Sequence, residues 1–377
     1  MSEQIRILHV LTEMNYAGTE TLLMNFYRNI DRDRIQFDFA VSAEKECSYD
    51  KEIIEMGGRI FHYPKYTVKN HFQYKKWWKR FFENHPEYNI VHGHIGSTAA
   101  IYLGIAKRSG RFTIAHSHSI DDPISIKALA YKIYSFPTRF IADYFFGCSN
   151  QALIDRYGKR IANDKSRASV LNNAINADKY IYNENTRRVI RKELKISENT
   201  FVLGTVGRLA PEKNPYEIIR ICKELKDRGV QFIFLWFGKG ELYEDLANKI
   251  VENELSEQIV LCGTRPDICN VLQAMDVFIF PSIFEGLGIA GVEAQAAGLP
   301  TLCSDTIPIE AKATDLCEFL KLNDTRLWCD EIEKWIGIIS APSYKRQDVH
   351  CRITEAGYDV KEVAAKLSNF YLGRGSK

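Results

Sequence analysis

No stretch of this chain stays apolar for anything near roughly 18 residues, which excludes a membrane-spanning helix. The first apolar run, Ile7 to Leu11, is too short for a secretory leader and reads as a strand. No C-x-x-C pair occurs, and the nine cysteines are odd in number, so neither a zinc site nor a disulfide framework is suggested. Cys148, Cys262 and Cys303 lie in apolar runs and are expected to be reduced, buried side chains of a cytoplasmic protein. Low-complexity tracts and solenoid-type repeats are missing too. So is a strong charge: the net value is +2, with 25 Lys+Arg against 19 Asp+Glu up to residue 180 and 25 against 29 beyond it. That imbalance is too mild for a nucleic-acid-binding protein. No G-x-G-x-x-G follows the first strand, which argues against a nicotinamide dehydrogenase.

What the chain does have is strand–helix alternation. Strands are expected at Ile5–Leu11, Gln36–Val41, Arg59–His62, Asn89–Gly93, Phe112–His116, Tyr144–Cys148 and Ala168–Leu171. A second series follows at Phe201–Val206, Gln231–Phe237, Gln258–Cys262, Val277–Phe280, Pro300–Cys303 and Glu318–Leu320. Runs such as VFIF and FIFLWF are apolar on every residue, as in parallel strands covered on both faces. At 377 residues the chain is long for one core, so two doubly wound α/β domains are expected. The hinge is placed at Asn173–Lys179, giving domains 1–175 and 176–358, with a last helix within 359–377 crossing back to the first. Two such domains would form a ligand cleft between the carboxyl ends of their strands.

Two segments carry chemistry. In GTVGRLAPEKNPYEII a strand ends in glycine, and a loop with Arg208 and Lys213 follows. A helix then starts at Pro215, with Asn214 as its expected N-cap. Two cations beside a helix N-terminus suit a polyanion such as a diphosphate. In PSIFEGLGIAGVEAQAAGLPTLCSD a buried strand runs into a loop holding Glu285, Gly286, Leu287 and Gly288, and a helix from Ile289 carries Glu293. Glycines let backbone N–H groups approach a ligand, and carboxylates accept hydrogen bonds from sugar hydroxyls. The small, apolar neighbours of Glu293 argue against a solvated helix face.

These two segments resemble the signature of family 4 retaining glycosyltransferases, which have the GT-B fold of two Rossmann-like domains. The G-R-L-x-x-x-K loop, the P-S-x-x-E-G stretch and the E-x7-E spacing of Glu285 and Glu293 all match. FGKGELYEDL and GTRPDICNVLQAMDVFIFPS resemble the family's G-x-G turn and base-binding loop, and EAQAAGLPTLCSDTIPIEA is similar to bacterial enzymes of capsular and exopolysaccharide assembly. The resemblance implies a hexosyltransferase that moves sugar from a nucleotide-diphosphate donor, a UDP-sugar, to a glycan or lipid-linked acceptor. Arg208 and Lys213 would neutralise the diphosphate. Glu293 would hold the ribose. Glu285 with the Gly286–Gly288 backbone would hold sugar and phosphate, and Arg265 would border the base. No cofactor or metal is implied: no D-x-D stands where a metal-dependent transferase carries it, and Asp121-Asp122 is adjacent rather than spaced.

The first half matches less tightly. VLTEMNYAGTETLLMNF resembles the family's first glycine loop, usually G-G-x-E, with Ala17 in place of one glycine and Gly18 as the phosphate-facing candidate. VHGH and AHSHS end two strands, and the family's site histidine aligns to His118, with His116 next to it. Metal ligation by His92, His94, His116 and His118 lacks a carboxylate or cysteine partner at suitable spacing, so core or supporting roles are expected. KYTVKNHFQYKKWWKRFF has six Lys/Arg and no acid, with Tyr74, Trp77, Trp78, Phe81 and Phe82 as a helical stripe. It reads first as a helix packed on the sheet and second as a peripheral contact with the inner face of the cell membrane. Ser125–Arg139, with Lys127 and Lys132, reads the same way. Rival functions are a nucleotide-sugar epimerase or hydrolase of the same fold, and a non-catalytic nucleotide-sugar-binding protein.

Overall fold

The apolar runs form thirteen strands in the computed structural model, which describes residues 4–118 and 133–375. Asp121-Asp122 and the basic residues Lys127 and Lys132 lie outside the described residues. The chain divides into two units, Met1–Ile175 with Asp359–Lys377, and Asn176–Tyr358.

In the first unit the strands are β1 (Ile5–Val10), β2 (Ile35–Val41), β3 (Ile60–His62), β4 (Ile90–Gly93), β5 (Phe112–Ser117), β6 (Tyr144–Gly147) and β7 (Ala168–Val170). They pair in parallel in the order β3-β2-β1-β4-β5-β6-β7. Side chains alternate across the sheet as the strand period requires. Ile7 of β1 and Phe37 and Phe39 of β2 enter one core, while Leu8, Val10 and Ala40 enter the other. The first core is closed by the helices Gly18–Asn29 and Val360–Gly375, the latter contributing Val363, Leu367 and Tyr371. The second is closed by the His71–Asn84 helix, which buries Tyr74, Trp78, Phe81 and Phe82. The aromatic stripe of that helix therefore faces the core. What it leaves exposed is Phe72, the preceding Val68 and the cations Lys65, Lys69, Lys76, Lys79 and Arg80.

In the second unit β8 (Val202–Val206), β9 (Ile233–Phe237), β10 (Ile259–Gly263), β11 (Val277–Phe280), β12 (Thr301–Ser304) and β13 (Cys317–Leu320) form a parallel sheet in the order β10-β9-β8-β11-β12-β13. The amphipathic Glu184–Glu193 helix is fastened to this sheet by charge. Arg187 and the fully buried Arg191 reach Asp276, just before β11, at 2.6 and 2.8 Å. Both sheets reverse their strand order once, between β1 and β4 and between β8 and β11. Loops leaving the carboxyl ends of strands at such a reversal splay apart, and α/β proteins bind ligands there.

Candidate functional site

At the reversal in the second sheet, β8 opens into the Gly207–Asn214 loop and β11 opens into the Pro281–Gly288 loop. The glycines of the FGKG turn brace the first loop. A Cβ on Gly238 would lie 1.9 Å from the Gly207 carbonyl oxygen, and one on Gly240 would lie 2.2 Å from that of Leu209. Backbone bonds from Gly207 N–H to the Phe237 carbonyl and from Leu209 N–H to the Lys239 carbonyl complete the contact. The Pro211–Lys213 turn then brings the loop across to its neighbour, where Ile283 N–H donates to the Glu212 carbonyl at 2.8 Å. On the far side the Ser304 and Thr306 hydroxyls both donate to the Ser282 carbonyl.

This scaffold brings Lys213 and Glu285 into direct contact as a largely buried ion pair, with the Lys213 ammonium 5.2 Å from the Phe280 ring centroid. Arg208 is exposed and pairs with Glu212 at 2.5 Å. Gly288 has φ +88°, and a Cβ there would meet Phe280 at 2.9 Å, so only glycine lets the loop enter the Ile289–Ala296 helix at this angle. Arg265 does not offer a free guanidinium: it is held by Asp267 and Glu193, leaving its backbone as the part that can border a ligand. Asn214 is not the side-chain cap expected. It adopts the left-handed conformation (φ 52°, ψ 51°), and its side-chain amide donates instead to Asn323 at 3.5 Å. Asparagine tolerates that conformation better than most residues, and the proline at 215 supplies the helix start.

Glu293 is mostly hidden on the Ile289–Ala296 helix and accepts a 2.6 Å hydrogen bond from the Tyr180 hydroxyl. Burial pushes its carboxyl pKa up to about 7, opposed only in part by the tyrosine. Tyr180 went unnoticed in the sequence because it lies 113 residues away. It is fixed through its carbonyl by Gln273, which also caps the backbone around Asn183 and Cys269. Gln295 is likewise a hidden support: it bonds Gly291 on its own helix and the backbone of Ala311, Ala313 and Thr314.

In the first unit, Gly18 opens its helix behind Ala17, and a Cβ there would meet nothing within 4 Å among the described residues. His118 follows β5 and shares a 2.8 Å hydrogen bond with His94. His94 in turn bonds His9 at 3.0 Å, a histidine that the motif reading passed over. His92 meets the Tyr371 hydroxyl at 2.6 Å. Burial lowers the pKa of His9 and His118 to about 3 and those of His92, His94 and His116 well below the ordinary range, so these imidazoles are neutral.

Residues 186–330 match the family model described as glycosyl transferases group 1. Across 98% of the chain and 97% of the relative, the chain is 27% identical to "Putative glycosyltransferase EpsF" of Bacillus subtilis. It is 25% identical, over 98% of the chain and 99% of the relative, to the capsular polysaccharide biosynthesis glycosyltransferase CapH of Staphylococcus aureus. A UDP-Gal:alpha-D-GlcNAc-diphosphoundecaprenol alpha-1,3-galactosyltransferase of Escherichia coli is 29% identical over 58% of each chain. The solved structure of Anabaena HepE in complex with UDP-glucose superimposes with a TM-score of 0.79 at 16% identity, covering 98% of this chain and all of that one. The two parallel sheets of seven and six strands thus have the GT-B fold.

Proposed function

We propose that this chain is a glycosyltransferase of surface polysaccharide assembly that moves a hexose-type sugar from a UDP-sugar to a glycan or lipid-linked saccharide, with retention of configuration. The observation that carries this reading is the junction of the two loops at the β8/β11 reversal. It sets Lys213 against Glu285, with Arg208 at the rim. As the glycosidic bond breaks, negative charge grows on the departing diphosphate. Lys213 and Arg208 would stabilise that charge, which is worth most in a site shielded from water. Glu285 holds the ammonium in place until the donor arrives and then accepts from sugar hydroxyls. Glu293, fixed by Tyr180, would accept from the ribose. Gly18 and His118 are the first unit's candidates for substrate contact, and the diphosphate's charge would be met by side chains rather than by a metal ion. Relatives support the donor and acceptor classes: HepE was solved with UDP-glucose, and the E. coli relative is named for a diphosphoundecaprenol acceptor. The test is product analysis with a panel of nucleotide-sugars and lipid-linked saccharides in EDTA. Transfer with the donor's anomeric configuration kept supports the reading. Hydrolysis or epimerisation alone, at the same rate with and without acceptor, would replace it with the rival enzymes.

A further inference from the structure

Among the acids of the candidate site, Glu293 is the one held without a cation. Arg208 pairs with Glu212, Lys213 pairs with Glu285, and Arg265 is taken by Asp267 and Glu193. What Glu293 has instead is a phenol. The Tyr180 hydroxyl donates to its Oε1 at 2.6 Å, and the other oxygen has no hydrogen-bond partner among the described residues. Tyr180 is buried, and the turn that carries it, Ala177–Tyr180, is fixed from two sides. Gln273 Nε2 donates to the Tyr180 carbonyl at 3.2 Å and to the Cys269 carbonyl at 3.0 Å, and His350 lies 2.9 Å from Asp178. The phenol is thereby aimed at one carboxyl oxygen and leaves the other open on a side chain that is only partly buried.

Two influences compete for the proton of this carboxyl. Burial favours the neutral acid, and the bond from Tyr180 favours the anion. The elements packed against the Ile289–Ala296 helix carry few other titratable groups: Cys303 on β12, Glu310 on the Ile309–Ala311 turn, and Asp178 and Lys179 beside Tyr180. Cys269 of the Ile268–Val271 helix faces Tyr180 itself. Burial and Tyr180 are the influences that decide, and they leave the carboxyl pKa at about 7. Near neutral pH the free protein therefore holds Glu293 in both forms. A protonated carboxyl spends one oxygen as a donor, whereas the ionised group accepts at both. The two neighbouring hydroxyls of a ribose both donate, so they select the ionised form.

We propose that donor binding expels a proton from the Tyr180–Glu293 pair, and that Tyr180 is the positioning residue that sets the pH at which this happens. The inference rests on the reading of Glu293 as the ribose-holding carboxylate and adds to it a proton and a second residue. The exchange balances: the Glu293 carboxyl becomes a carboxylate, its proton passes to the solvent, and no bond of the donor breaks. The sign follows from the free state. Below about pH 7 the free protein binds the proton and the complex does not, so affinity for the donor rises with pH up to that value and levels off above it. Without the phenol, burial acts unopposed, the carboxyl keeps its proton to higher pH, and the rise in affinity moves upward.

The test is calorimetric titration of UDP-glucose into the full-length protein between pH 6 and 8.5, at each pH in two buffers that differ in ionisation heat. UDP-glucose is the probe because its diphosphate is esterified at both ends and does not titrate in this range. The wild type should release about 0.8 proton per site at pH 6.5 and about 0.1 at pH 8. Glu293→Gln should release none at either. Tyr180→Phe should bind about tenfold or more weakly at pH 7, the cost of a hydrogen bond to a charged group. It should release more proton than the wild type at pH 8, and its deficit in affinity should narrow by pH 8.5, which a merely structural defect would not do. Circular dichroism checks folding; should Tyr180→Phe not fold, the wild type against Glu293→Gln decides. Binding without proton release, equal release in Glu293→Gln, or a Tyr180→Phe profile identical to the wild type's would overturn this inference and leave the donor reading standing. No binding of UDP-glucose at any pH would overturn both.

Discussion

Two carboxylates in the candidate site are held in opposite ways. Glu285 lies against an ammonium, and Glu293 lies against a neutral phenol in a buried setting. On the proposed reading, Lys213 is the residue whose cation would meet the charge growing on the departing group. Lys213→Ala is expected to lower turnover by about 100–1000-fold, the cost of one such contact at roughly 3–4 kcal/mol. Steady-state kinetics on folded variant measure it, and near-normal turnover would sink the assignment. The second arrangement has a pH signature. An acid whose folded pKa is raised from 4.5 to about 7 binds more protons folded than unfolded between those values, so stability falls as pH rises through that window. Glu293→Gln removes this cost. Its melting temperature should exceed that of the wild type above pH 7, by the equivalent of up to about 3 kcal/mol, and the gap should close toward pH 4.5. A gap that does not depend on pH would show that Glu293 is an ordinary carboxylate.

At the scale of elements, the FGKG turn braces the backbone of the β8 loop. Gly240→Ala pushes a methyl into the Leu209 carbonyl, with 2.2 Å between the atoms, and the loop must shift. Overpacking of this kind costs about 1–3 kcal/mol. The expected result is a lower melting temperature together with weakened nucleotide binding, both read by thermal denaturation with and without UDP. Unchanged nucleotide binding would mean that the turn does not brace the site. Around the His71–Asn84 helix, the exposed Val68, Phe72, lysines and Arg80 are what a membrane contact would use, a narrower set than the aromatic stripe of the sequence. Co-sedimentation should show binding to anionic vesicles that weakens with salt and little to neutral ones, and no binding to either would leave a packed helix. The strands were legible because fully buried parallel strands are continuous apolar runs, as in Val277–Phe280. The supports were not. Tyr180 with Glu293, Arg187 and Arg191 with Asp276, and His9 with His94 join residues more than 80 positions apart, and such pairings leave no local pattern. Asn214 misled for a local reason: an asparagine before a helix proline suits both a cap and a left-handed turn.

For the whole molecule, the two sheets repeat one plan, each with a single reversal where chemistry-bearing loops emerge. The second unit gathers cations and carboxylates there, and the first gathers neutral imidazoles. The chain's last helix belongs to the first unit, where Tyr371 is buried against His92 and Val360 N–H reaches the Ile175 carbonyl at 2.8 Å. On the proposed reading, a donor site built from Arg208, Lys213, Glu285 and Glu293 would bind its nucleotide without an ion. The most direct measurement is therefore calorimetric titration of UDP into the full-length protein in EDTA, repeated with Lys213→Ala. The account predicts one saturable site in the wild type that EDTA leaves intact and that the variant loses or weakens at least about tenfold, a charge-assisted contact being worth about 1.5–3 kcal/mol. Binding that appears only when manganese or magnesium is added, or that survives unchanged in the variant, would contradict it.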